Sequence, residues 1–202
     1  MKIHRIYPGN IDRRAIGDAV DALRDGHLIV YPTDTMYAIG CNALCNSAIE
    51  RICRIKGLDP RRSELSVICS SLSQAAEYAR IDNRAFRILK NHLPGPFTFI
   101  LPASTSLPKV FKGRKAVGIR IPANPISTEI AEQLGNPIMT TSIPYDDVDE
   151  AMNPESIAMN FEREAAVMID GGDGTTDVST VIDLTDSSDP TILRQGVAVA
   201  EL

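Results

Sequence analysis

The chain has 202 residues, of which 44% are hydrophobic and 23% charged, and a net charge of −5. That length supports one full core, and the composition is that of a globular chain rather than a fibrous or disordered one. No apolar run approaches the ~20 residues that span a bilayer, and the start Met1-Lys2-Ile3-His4-Arg5 lacks the apolar centre of a signal peptide, so a cytoplasmic location is expected.

From residue 12 to 26 the sequence repeats with helical period, Ile11, Ala15, Ile16, Ala19, Val20 and Leu23 sharing a face, and Gly26 suits the left-handed residue just past a helix end. Leu28-Ile29-Val30-Tyr31 is a short, β-rich apolar run and reads as a buried strand that needs cover on both faces. Pro32 ends it, having no N–H for a ladder, and is followed by the polar turn Thr33-Asp34-Thr35. A buried strand that delivers hydroxyls and a carboxylate at its carboxyl end is where an α/β protein places its site. An apolar stretch with small residues at Ala38 and Gly40 comes next.

Asn46 is a candidate cap for a helix over 47–55, which Gly57 ends; Lys56 stands at its C-terminal edge, where a cation is favoured. After a charged loop at 57–64 come a strand at 65–69 and helices at 71–78 and 83–90, the second preceded by Asp82 as a cap. Pro94-Gly95-Pro96 breaks the chain before a strand at 97–101, and 102–116 reads as a basic connection. In the strand 117–121, Val117, Ile119 and Ile121 alternate with Gly118 and Arg120, so Arg120 faces away from the apolar residues, toward a cavity or solvent.

Pro125 suits the first position of a helix running to about Leu134, and 138–141 is a short strand. Residues 144–153 are acidic with no apolar period, a lid or a surface loop. A helix at 154–161 and strands at 166–169, 178–182 and 191–193 complete the chain. Strands and helices intermingle without strict alternation, and no linker divides them. The expected architecture is a single α/β (α+β) domain over 1–202, a twisted mixed sheet with helices on its faces.

Cys41 and Cys45 lie four apart, but no histidine or second cysteine pair completes a zinc set. With Cys53 and Cys69 they read as reduced and structural, and no metal site is expected. Gly171-Gly172-Asp173-Gly174 is not followed by the Lys-Ser/Thr of a phosphate loop, and His4, His27 and His92 have no partners at informative spacing. Charge is unevenly spread: residues 83–128 carry 8 basic and no acidic side chains, whereas 129–202 carry 2 basic and 16 acidic. The basic window either attracts phosphates or pairs with the acidic end.

Tyr31-Pro32-Thr33-Asp34-Thr35-Met36-Tyr37-Ala38-Ile39-Gly40-Cys41 resembles the signature of the YrdC/YciO superfamily. Further matches follow in order at Arg51-Ile52-Cys53-Arg54-Ile55-Lys56, Gly95-Pro96-Phe97-Thr98-Phe99-Ile100-Leu101, Gly118-Ile119-Arg120-Ile121-Pro122, Thr140-Thr141-Ser142, Ser179-Thr180-Val181-Ile182-Asp183 and Leu193-Arg194-Gln195-Gly196. The resemblance covers nearly the whole chain and is nearer the YciO branch than the well-studied synthases. It implies a YrdC-like fold and the joining of ATP, L-threonine and bicarbonate, with Mg²⁺, into L-threonylcarbamoyladenylate for tRNA modification, with release of pyrophosphate. Such chemistry rests on positioning and charge stabilisation. The resemblance implies that Thr33 holds the substrate hydroxyl or amine. It also places Lys56, Arg120 and Ser142 in the reaction site, and Lys56, Ser142, Ser179 and Arg194 on the nucleotide.

Two elements depart from the family pattern. Lys-x-Arg here reads Lys56-Gly57-Leu58, leaving Arg61 or Arg62 to reach the same anion, and Ser-x-Asn reads Ser142-Ile143-Pro144. Proline has neither the side-chain amide nor an N–H. Weak or altered synthase activity is therefore expected. An enzyme that adenylates another small amino or carboxy substrate is allowed by the same two positions. A non-catalytic double-stranded RNA or tRNA-binding module is the alternative from another class, supported by segment 83–128 and opposed by the net charge.

Overall fold

Ten strands assemble into one mixed sheet in the computed structural model, which describes residues 1–6, 9–59, 66–106 and 115–201. They are β1 (Lys2–Arg5), β2 (Leu28–Tyr31), β3 (Ala38–Asn42), β4 (Ser66–Ile68), β5 (Phe97–Pro102), β6 (Ala116–Arg120), β7 (Ile138–Ser142), β8 (Ala165–Asp170), β9 (Thr180–Asp183) and β10 (Thr191–Arg194). Across the sheet the order is β1-β8-β2-β3-β7-β4-β6-β5-β9-β10. The pairs β1–β8, β2–β8, β4–β6 and β5–β9 are parallel and the other five antiparallel.

The helices start where side chains satisfy the free N–H groups of a first turn. Asp12 caps α1 (Arg13–Arg24), Ser71 caps α3 (Leu72–Tyr78) and Asp82 caps α4 (Asn83–His92), on either side of chain order from α2 (Asn46–Ile55). Asn124 caps α5 (Pro125–Leu134), Asp147 caps α6 (Val148–Met152) and Asn153 caps α7 (Pro154–Phe161). Gly26, with φ +79°, takes the left-handed conformation expected just past α1.

All four β2 residues are fully buried, as their apolar run requires. Leu28 and Val30 enter one core with Ile49 and Ile52 of α2, Leu89 of α4 and Phe161 of α7. Ile29 and Tyr31 enter the opposite core with Ile16, Val20 and Leu23 of α1 and Ile130 of α5. This second core takes no residue from β5, β6 or β9. On that side the face of β6, β5 and β9 is left without a covering helix from this core, and the cleft described below lies there.

Two strands that the sequence left unassigned appear, and one loop expectation is corrected. β1 is a strand although its pattern is mostly exposed, because main-chain pairing along the edge of β8 holds it. β3 pairs with both β2 and β7, and its small Ala38 and Gly40 diluted the strand signal. A Cβ at Gly40 would lie 2.8 Å from the Tyr31 hydroxyl and 2.7 Å from Ile138, so this position must stay open for the Tyr31 ring. The acidic stretch 144–153 contains α6, whose five residues are too few to show a period. In addition, α2 begins at Asn46 itself, with Cys45 in the cap position and making no side-chain cap bond. Most of the basic connection lies outside the described residues. No helix among the described residues is long and apolar enough to cross a membrane.

Candidate functional site

Strand alternation builds the cleft. In β5, Phe97, Phe99 and Leu101 point into the first core while Thr98 and Ile100 line the cleft. In β6, Val117 and Ile119 point into the core while Arg120 lines the cleft, as the sequence pattern requires. Ser66 at the start of β4, Thr140 and Ser142 of β7, Ser179 just before β9 and Arg194 at the end of β10 complete the polar wall. Met36, Leu58, Met139 and Val181 supply apolar surface, and Asp177 a carboxylate.

Arg120 is nine-tenths buried and pairs with Asp34, Nη2 to Oδ1 at 3.0 Å. The same nitrogen donates to Thr35 Oγ1 at 3.0 Å. Asp34 uses its other oxygen to accept the Ala123 N–H at 2.8 Å. Desolvation lowers the Arg120 pKa, the Asp34 carboxylate opposes that, and Arg194 adds to the lowering as a second cation nearby. The buried Arg120 Nε has no acceptor among the described residues. A buried donor left in this state costs about 1–3 kcal/mol.

Arg194 donates through Nε and Nη2 to the Ser179 carbonyl at 3.1 and 2.9 Å, and through Nη2 to Ser179 Oγ at 3.1 Å. Ser179 Oγ lies 2.8 Å from Thr98 Oγ1. At the opposite wall, the buried Tyr31 hydroxyl donates to Thr140 Oγ1 at 2.9 Å, and burial raises the Tyr31 pKa. The loop carrying Asp177 is latched by Tyr37. Its hydroxyl donates to Gly172 O at 2.7 Å and accepts the Gly171 N–H at 2.9 Å. Burial pushes the Tyr37 pKa up to about 12.

Of the residues expected from sequence, Arg120, Ser142, Ser179 and Arg194 come together on this cleft although they span much of the chain. Thr33 does not line it. Its hydroxyl donates to Met36 O at 2.8 Å and accepts the Thr35 N–H at 3.0 Å, which shapes the turn that aims Asp34 and Thr35 at Arg120. Lys56 follows α2, two residues before the cleft-lining Leu58; partial burial lowers its pKa. Arg61 and Arg62 lie outside the described residues, as do Lys109, Lys112 and Arg114. Sequence reasoning assigned no role to Ser66, Thr98 or Asp177. The signal for Thr98 was a polar residue between two buried phenylalanines of one strand. Asp177 carried none. Among the described residues no group of three or more His, Cys, Asp or Glu is placed to hold a metal, and the four cysteines are free.

A buried mixed sheet with two guanidiniums and a row of hydroxyls on its uncovered strip defines an α/β protein with a polar, guanidinium-lined cleft. Residues 21–196 match the Sua5/YciO/YrdC family, described as telomere recombination, and the chain belongs to this family. It is 41% identical over 196 residues to the uncharacterized protein YciO of Escherichia coli, covering 95% of this chain and 94% of that one. The crystal structure of E. coli YciO superposes with a TM-score of 0.90 at 38% identity, covering 98% of both chains. The threonylcarbamoyl-AMP synthase of Pyrococcus abyssi is 34% identical over 189 residues, 92% of this chain but 55% of that protein. P. abyssi Sua5 complexed with L-threonine superposes with a TM-score of 0.84 at 31% identity, covering 97% of this chain and 58% of that one.

Proposed function

We propose that the cleft binds ATP and L-threonine with bicarbonate, and that the chain is a slow relative of the threonylcarbamoyl-AMP synthases serving tRNA threonylcarbamoyladenosine modification in the cytoplasm. The observation that carries this reading is the meeting of Arg120 and Arg194 on one polar strip, with the buried Arg120 Nε lacking an acceptor among the described residues. Such a site fits a small molecule with several anionic oxygens. The threonine-bound relative supports an amino acid as one of the ligands.

In the proposed reaction the threonine amine bonds to the bicarbonate carbon, a bicarbonate C–O bond breaks, and the departing oxygen leaves as water with a proton from the amine, giving a carbamate. An oxygen of the resulting carbamate then bonds to the α-phosphorus of ATP as the bond to pyrophosphate breaks. The chain's contribution is positional and electrostatic. Arg194 and Arg120 hold anionic oxygens, Ser142 orients the carbamate from the end of β7, and Lys56, with Arg61 or Arg62, supplies further charge. Mg²⁺ would arrive with ATP and be held chiefly by phosphates and water, as is usual for this ion, with Asp177 as the neighbouring carboxylate. The test is pyrophosphate release from ATP, threonine, bicarbonate and Mg²⁺. A threonine-dependent rate above background is expected, and none, with no ATP binding at millimolar concentration, would remove the reading.

A second reading, binding of double-stranded RNA or tRNA, is favoured by one observation. Helix α4 exposes Arg84, Arg87 and Lys90 beside the half-exposed Phe86. Phosphate contacts release counterions, so such binding would weaken steeply between low and moderate salt. A titration with duplex RNA at two ionic strengths checks it, and affinity independent of salt would exclude it.

A further inference from the structure

Thr98 and Ser179 sit on the parallel pair β5–β9, each 5% exposed, and both line the cleft. A guanidinium has only donors to offer, so the Arg194 contact occupies a lone pair of Ser179 Oγ. Two hydroxyl hydrogens remain, and the 2.8 Å contact between the two oxygens uses one of them. If Ser179 donates to Thr98, the Thr98 hydrogen is left over; if Thr98 donates, the Ser179 hydrogen is left over. In both arrangements one buried O–H has no acceptor among the described residues. Arg120, which lines the same cleft, carries a second such donor in its Nε–H. Buried donors are costly to leave unmade, so this O–H calls for an acceptor in the cleft, and beside the Arg194 guanidinium an anionic oxygen is the acceptor that the local charge favours.

We propose that Thr98, acting with Ser179, belongs to the ligand-binding set and reads an anionic oxygen, phosphoryl or carboxylate, and that Arg194, besides its own place on the anion, fixes the hydroxyl pair. This role rests on the reading of the cleft given above, but inorganic pyrophosphate tests it without assuming a nucleotide. Thr98 suits the test because its neighbours Phe97 and Phe99 point into the opposite core, so Thr98→Val removes the hydroxyl and keeps the shape.

The experiment is calorimetric titration of pyrophosphate, Mg-ATP and L-threonine into the wild-type protein and the Thr98→Val, Thr98→Ser and Ser179→Ala variants. Loss of one hydrogen bond to a charged oxygen predicts about tenfold weaker binding in Thr98→Val and in Ser179→Ala. If the oxygen is phosphoryl, pyrophosphate and ATP weaken and threonine does not; if it is a carboxylate, the order reverses. Thr98→Ser, which keeps the hydroxyl, should bind like the wild type. Unchanged affinity for every ligand in Thr98→Val overturns the assignment, and so does a Thr98→Ser variant as weak as Thr98→Val, which would mark a packing role. Should Thr98→Val fail to fold, Ser179→Ala decides in its place. A wild-type protein that binds pyrophosphate, with the tenfold loss in Thr98→Val, but neither ATP nor threonine, supports the assignment while removing the proposed function. One that binds none of the three overturns both.

Discussion

Asp34 and Arg120 are 86 residues apart in sequence and meet at 3.0 Å, both nearly buried, where the turn after β2 faces the end of β6. This pair joins two halves of the sheet and holds one guanidinium at the cleft. Removing one partner of a buried ion pair strands the other charge, at a cost of about 3–5 kcal/mol. Asp34→Ala is therefore expected to lower stability by that order in a urea titration, and to weaken anion binding because Arg120 loses its fixed position. Unchanged urea midpoint and ligand affinity would show that the pair does neither.

Gly40 governs the other wall of the cleft. An added methyl would strike both the Tyr31 hydroxyl and Ile138, and Tyr31 is what holds Thr140. Overpacking of this kind costs about 1–3 kcal/mol. Gly40→Ala should unfold at lower temperature, whereas Tyr31→Phe should keep the packing and lose the Thr140 bond. A Gly40→Ala protein as stable as the wild type would show that the ring moves aside freely.

Asp82 gives a pH dependence with a definite sign. Its carboxyl is held below the usual 3.8, first by the Ala85 N–H it accepts as the cap of α4 and then by the Ser187 hydroxyl. The folded pKa is thus below the unfolded one. The contribution to stability is complete above the unfolded value and disappears as pH falls through the folded value. Asp82→Ala should lower the urea midpoint at pH 7, and the gap from the wild type should narrow as pH falls below the unfolded carboxyl value and through the lower folded one. A gap that persists unchanged in acid would mean the cap acts without its charge.

The sheet was legible where burial and period agree. Leu28–Tyr31 reads as a covered strand from its apolar run, Asp82 could be placed as a cap from its position before an apolar period, and Pro125 could be placed at the first position of a helix. β1 was not legible because an edge strand of charged residues is fixed by its partner β8, which local sequence does not contain. At the site, alternation in β6 revealed Arg120, and the family resemblance supplied Ser142, Ser179 and Arg194. Neither revealed that the Thr33 hydroxyl closes its own turn. That depends on the Met36 carbonyl three residues on, a contact set by backbone geometry.

Asp177 lines a cleft whose other described charges are guanidiniums. An exposed carboxylate there repels a polyanion and attracts a cation. Asp177→Asn should therefore bind ATP more tightly when Mg²⁺ is absent, by a few-fold, and the gain should shrink with added salt. Weaker ATP binding in Asp177→Asn, seen only with Mg²⁺ present, would instead place the carboxylate on the metal.

Leu58 and Pro144 set the expected rate. Leu58 packs against the first core and also lines the cleft, so the wall that would carry an arginine in the Lys-x-Arg element is apolar. Pro144 follows Ile143, whose N–H is already donated to Tyr37 O at 3.1 Å, and brings no amide of its own. Each missing charged hydrogen bond is worth about 1.5–3 kcal/mol, roughly one to two decades in affinity or rate. The wild-type protein is therefore expected to release pyrophosphate slowly in a threonine-dependent way. Leu58→Arg combined with Pro144→Asn should raise that rate by about tenfold or more, even if the loss of Leu58 from the core lowers stability. Arg194→Ala should abolish nucleotide binding in both backgrounds. A wild-type rate that the double variant does not exceed would mean that these two positions do not limit the chemistry.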